Sequence, residues 1–106
     1  MQLHEEIEIL TENHKLRALV IGRAKSISQD ITYTYTFVVA PNLEIWYKVD
    51  QAMGEYWHYM TPTELEQRFP QVHGTVMADS TIEIIKRWQQ KYPAECRERF
   101  WQRLPI

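Results

Sequence analysis

The chain has 106 residues, 44% of them apolar, 25% charged and 12% aromatic, with a formal net charge of −2. That length suits a single domain over 1–106, and the apolar content excludes a disordered chain, because enough surface can be buried to offset the entropy of ordering. The near-neutral charge excludes a wholly basic nucleic-acid binder, one cysteine excludes a fold held by intrachain disulfides, and no window approaches the ~20 apolar residues of a membrane span.

The opening segment, MQLHEEIEIL, is acidic and lacks the basic flank and long apolar core of a signal peptide, so a cytoplasmic location is expected. Leu3, Ile7, Leu10 and His14 fall on one helical face, while Ile7-Glu8-Ile9 also suits a strand. Glutamates near a helix start complement its dipole, which favours a short N-terminal helix.

Residues 16–28, LRALVIGRAKSIS, predict a long strand, with Leu19 and Ile21 alternating with Ala18, Val20 and Gly22. A turn at 28–30 leads into ITYTYTFVV, 31–39, where Ile31, Tyr33, Tyr35, Phe37 and Val39 share one face and Thr32, Thr34 and Thr36 the other. Aromatic and β-branched residues at period two fit a half-buried pleated surface. After a turn at 40–42, residues 43–49 set Leu43, Ile45, Tyr47 and Val49 against Glu44, Trp46 and Lys48. A turn at 50–54 precedes a short strand at 55–60. Short connections between four strands predict an antiparallel meander over about 16–60.

The apolar period then changes. Thr61-Pro62-Thr63-Glu64 combines a capping threonine, an N-terminal proline and a capping-box glutamate, which predicts a helix over about 62–69 that stops before Pro70. Ser80-Thr81-Ile82-Glu83 repeats the capping pattern and opens a helix over about 81–92, with Ser80 as its cap. Pro93 breaks it, and a last helix is expected over about 93–104. Trp88, Tyr92, Cys96, Phe100 and Leu104 recur every fourth residue, as a helical stripe packed on a sheet requires. The expected class is therefore α+β, with the helices on one face of the sheet.

No motif names a reaction. His4, His14, His58 and His73 lie far apart, and none pairs with Cys96 at a metal-site spacing, so no metal is expected. Cys96 sits on the apolar stripe, where a free cysteine acts as a small hydrophobe. There is no Gly-x-Ser-x-Gly elbow, no Gly-x-Gly-x-x-Gly and no P-loop, so neither a cofactor nor an enzyme is expected.

The partner signal lies in RWQQKYPAECRERFWQRL, residues 87–104, which holds Arg87, Lys91, Arg97, Arg99 and Arg103 against Glu95 and Glu98. Trp101 falls ~100° from Phe100 on a helical wheel, on the side of Arg97, off the apolar stripe. A tryptophan beside arginines has the composition of an interface anchor. Trp101, Arg97, Arg99 and Arg103 are thus candidate partner-binding residues, the alternative being a Trp101 tucked against the sheet edge or stacked by Arg97. Trp46 is a second docking point beside the threonine face, or else is covered by the N-terminal helix. The expected function is a protein–protein interaction module, an adaptor or regulatory subunit, with a homodimer through a sheet edge as one form. The alternative is a single-stranded nucleic-acid binder using the same helix, with Tyr33 and Tyr35 as a stacking platform. A small enzyme or ligand sensor comes third and requires a pocket gathering at least two of His58, His73, Cys96 and Asp79.

Overall fold

The computed structural model of the chain describes residues 2–50 and 54–94. Strands β1 (Glu6–Leu10), β2 (Lys15–Ser28), β3 (Ile31–Val39), β4 (Ile45–Val49) and β5 (His58–Met60) precede helices α1 (Pro62–Arg68), α2 (Pro70–Val76) and α3 (Asp79–Lys91). The strands form one antiparallel sheet in chain order. The class is α+β, and the meander of four strands gains a fifth at its N-terminal edge. No described helix is long and apolar enough to cross a membrane.

That fifth strand replaces the expected N-terminal helix. Ile7 and Ile9 lie opposite Ala18 and Leu16, while Glu6 and Glu8 lie opposite Leu19 and Arg17. Period two wins because Ile9 is buried in a cluster that only a strand can reach from this edge. At one end the first and last strands approach each other: the Trp57 N–H donates to the Leu10 carbonyl at 2.9 Å, curling the sheet.

Two apolar clusters lie on opposite faces. Leu19, Ile21, Phe37, Val39, Ile45 and Met60 pack under Leu65, Phe69, Val72, Val76, Ile85 and Trp88 of the helical region. Ile9, Leu16, Ala18, Val20, Val38, Ala40, Trp46 and Trp57 form the second cluster, with no helical residue in it. All three described helices therefore cover one face, as expected for the helices over about 62–69 and 81–92; α2 was not anticipated from the sequence.

A bulge in β2 allows the close docking of α2. Val20 pairs with Val38 and Gly22 with Phe37, so Ile21 is the extra residue and both Ile21 and Gly22 turn toward the helices. Gly22 has φ 152°, and a Cβ there would stand 3.8 Å from Val72 Cγ2. The space admits a methyl group, but the backbone disfavours an L side chain. Gly22→Ala is expected to lower stability by about 1 kcal/mol, read as a fall in the denaturant midpoint.

The helix ends depart from the sequence reading at three places. Thr61 caps α1 as expected, accepting from the Glu64 N–H at 3.1 Å, but Glu64 spends its carboxylate on Arg68 Nη1 at 2.8 Å rather than closing a capping box. α1 stops before Pro70 as expected, but Pro70 also opens α2, a helix not anticipated, where its missing N–H costs nothing. Ala78, not Ser80, occupies the N-cap of α3. Thr81 is then free to sit fully buried, hydrogen-bonded through Oγ1 to His4 Nε2 at 2.8 Å. Trp88 Nε1 donates to Glu6 Oε1 at 3.1 Å, a second tie between α3 and the N-terminal edge. Pro93 and Ala94 follow α3, and the rest of the expected 93–104 helix lies outside the described residues.

Candidate functional site: an open strand edge beside a cleft

β2 has 14 residues, but β1 pairs only with Lys15–Leu19 of it. Backbone bonds at Val20, from its N–H to Glu5 and from the His4 N–H to its carbonyl, extend that pairing by one residue. Beyond Val20, no described strand pairs with the outer edge of β2.

The register of the β2–β3 hairpin determines which groups face that edge. Gln29 and Asp30 both have positive φ, 51° and 64°, the pattern of a two-residue type I′ turn. The closing pair, Ser28 opposite Ile31, is then a hydrogen-bonded pair, and bonding alternates from it along the ladder. Ser26 and Ala24 bond toward β3, while Lys25 and Ile27 turn their N–H and C=O outward. The same alternation sends the backbone of Thr34 away from β2, and there it meets Asp50. The Asp50 N–H donates to the Thr34 carbonyl at 3.0 Å, and the Thr34 N–H donates to Asp50 Oδ1 at 2.9 Å. Asp50 thus closes the β3 side of the hairpin, whereas the β2 side stays open.

A cleft of about 550 Å³ lies between that open edge and the α1–α2 corner. Ile21 to Lys25 form one wall, and Arg68, Phe69, Pro70, Gln71, Val72 and Thr75 the other. Arg23 and Lys25 contribute backbone to that wall, since the register sends their side chains to the opposite face with Thr36 and Thr34; Arg68 is the cation that stands on the cleft's own side, and no carboxylate lines the cleft. A second cavity of about 600 Å³ continues along the hairpin over Ser26, Ser28, Tyr33 and Tyr35, with Arg68 shared between the two.

Arg68 is held on an aromatic bed. Its guanidinium carbon lies 5.6 Å from the Tyr35 ring centroid and 5.1 Å from that of Phe69, and Nη2 donates to the Tyr35 hydroxyl at 3.3 Å. The hydrogen bonds to Glu64 and then Tyr35 push its pKa above the ordinary arginine value, so it carries its charge throughout. Beneath it, Tyr35 is 5.9 Å from Phe37, 5.6 Å from Tyr47 and 5.1 Å from Phe69 between ring centroids.

Burial, followed by the charges of Tyr35 and Glu64, raises the Tyr47 pKa above its ordinary value of 10.0, with Arg68 opposing. A phenol that ionises less readily when folded leaves stability unchanged below the unfolded value and lowers it as pH rises through the folded one. Stability is therefore expected to decline above about pH 10, and Tyr47→Phe should flatten that decline in alkaline denaturation curves.

The sequence-derived candidates are placed differently. Trp46 is 3% exposed and packs in the second cluster, so it is a core residue rather than an exposed docking point. The face assigned to it is correct; its cover comes from β1 and Trp57 instead of a helix. Trp101, Arg97, Arg99, Arg103 and Cys96 lie outside the described residues. His58 is exposed on β5, His73 lies on α2 and Asp79 opens α3, and no group of three such ligating side chains comes together among the described residues. The cleft itself has no local signature in the sequence, because residues 21–25 of β2 face Arg68 and α2 only through the docking of the α1–α2 corner.

The chain matches no protein-family model, and neither a curated protein nor a solved structure is significantly similar to it.

Proposed function

We propose that the protein is a small protein–protein interaction module that takes an extended, acidic segment of its partner as an added strand on β2. One observation carries this reading: the outward N–H and C=O groups of Lys25 and Ile27 lie on an edge that no described strand covers, with Arg68 on the helix side of that edge and the side chains of Arg23 and Lys25 on the other. Strand addition draws affinity from main-chain hydrogen bonds and specificity from pockets for alternate side chains. An added strand here lays every second side chain against Val72, Thr75 and Arg68. Lysine and arginine on an open edge also oppose pairing with a second copy, since like charges would meet, and they favour a partner of opposite sign. Such a module serves as an adaptor or a regulatory subunit, with Trp101, Arg97, Arg99 and Arg103 as a further contact surface for the same partner.

Tyr33 and Tyr35, half-buried on the same face as Arg68, favour a single-stranded nucleic acid as the second candidate, with bases stacked on the rings. One titration separates the two. A labelled peptide of alternating Glu and Val should bind and weaken with salt, its Lys–Val counterpart should not bind, and oligothymidylate should bind less tightly than the acidic peptide. Tighter binding of oligothymidylate, with a steep salt dependence, would replace the peptide with a nucleic acid as the partner.

A further inference from the structure

On the opposite face of the sheet a cavity of about 320 Å³ is lined by Thr11, Glu12, Asn13, Trp46, Tyr56, Trp57, His58 and Tyr59. Four of these eight side chains are tryptophan or tyrosine, one is a carboxylate, and none is lysine or arginine. Trp46 and Trp57 form its floor as members of the second apolar cluster. Tyr56 and Tyr59 stand at its mouth, 46% and 42% exposed, an unusual outlay of aromatic surface for residues that the core does not use.

The walls are fixed before any ligand arrives. Thr11 Oγ1 accepts from the His14 N–H at 3.0 Å and the Asn13 N–H at 3.4 Å, and donates to the His14 carbonyl at 3.1 Å, which locks the turn carrying Glu12. The Trp57 N–H is held on the Leu10 carbonyl, and Tyr59 lies across from Trp46 with its ring edge-on at 5.7 Å. Aromatic faces are electronegative, so rings gathered around a space with a carboxylate at its rim form an environment for a bulky, weakly hydrated cation.

We infer that this cavity binds an organic ammonium group, a methylated nitrogen on an alkyl stem, through cation–π contact with Tyr56, Tyr59 and the tryptophans and through the charge of Glu12. A metal ion is poorly suited to it, because the lining holds a single carboxylate and no group of three His, Cys, Asp or Glu side chains gathers among the described residues. The site is separate from the β2 edge, so an acidic peptide bound there should not compete.

The test is a titration of the folded 106-residue chain at pH 8, followed by tryptophan emission and by chemical shifts of the Trp57 and Tyr59 amides. Choline, an N-acetylated trimethyllysine methylamide and the neutral tert-butyl isostere of choline are compared. Both ammonium compounds should bind saturably, and the isostere about tenfold more weakly. Tyr59→Leu should weaken choline about tenfold while Tyr59→Phe retains it, and Glu12→Gln should weaken it several-fold. Tighter binding of trimethyllysine assigns the cation to a protein side chain, and tighter binding of choline to a free small molecule. Equal affinity for the neutral isostere, or no saturable response to either ammonium compound, overturns the inference. Because that comparison uses the unaltered chain, it decides the matter even where Tyr59→Leu fails to fold.

Discussion

Phe37→Ala is expected to lower the unfolding free energy by about 3–5 kcal/mol, a large part of the roughly 5–15 kcal/mol available to a domain of this size. Phe37 is fully buried at the centre of the helix-covered face. Its ring lies 5.0 Å from Phe69, 5.9 Å from Tyr35 and 6.3 Å from Tyr47. Removing it opens a void under the α1–α2 corner that rigid neighbours on two strands and one helix terminus cannot close. Equilibrium denaturation should show a much lower midpoint with an unchanged slope. A loss below about 1 kcal/mol would mean that the corner collapses onto the sheet, and with it the cleft wall that holds Arg68.

The second large effect concerns binding rather than stability. Ile27→Pro should leave the fold nearly intact yet weaken the acidic peptide at least about tenfold, or ~1.4 kcal/mol. The side chain of Ile27 is 74% exposed, so its loss removes little buried area. Its N–H points away from β3, so proline breaks no bond of the hairpin, and edge positions of this kind tolerate proline. What proline removes is the donor offered to an added strand, and its ring obstructs the approach. Ile27→Thr keeps the N–H and should bind like the unaltered chain. Normal binding by a folded Ile27→Pro chain would exclude strand addition at this edge.

The sequence is most informative where local periodicity coincides with burial. In β3 the alternation of Tyr35, Phe37 and Val39 with threonines assigns both faces correctly, because the helices pack on the aromatic face and leave Thr32, Thr34 and Thr36 on the other. In β1 two signals compete. Glu5, Glu6 and Glu8 suit a helix start, while Ile7 and Ile9 suit a strand, and pairing with Ala18 and Leu16 decides the matter from outside the segment. The sign of a proline is likewise ambiguous: Pro70 ends α1 and also opens α2, and Val72 with Val76, four residues apart and both buried, was the sequence signal for the second helix. The Ser80 capping pattern lies two residues inside α3 because Thr81 must reach His4, a partner no local rule can supply.

The candidate site was less legible for a related reason. An open edge is a difference in length between neighbouring strands, and once the first segment is taken as helix, β2 has no such neighbour to outrun. The positive φ at Gln29 and Asp30, which fixes the hairpin register, occurs here without the glycine or asparagine that usually announces it. Trp46 was assigned to the right face, but its cover is built from β1 and from Trp57, across the curl of the sheet.

Amide hydrogen exchange at Lys25 and Ile27, with and without the alternating Glu–Val peptide, tests strand addition on β2 most directly. Both amides face the open edge in the free chain and should exchange fast; on binding, both should become strongly protected, while Ala24 and Ser26, already bonded toward β3, change little. Saturable peptide binding with Lys25 and Ile27 still exchanging at their free rates would place the partner elsewhere on the molecule and contradict the account.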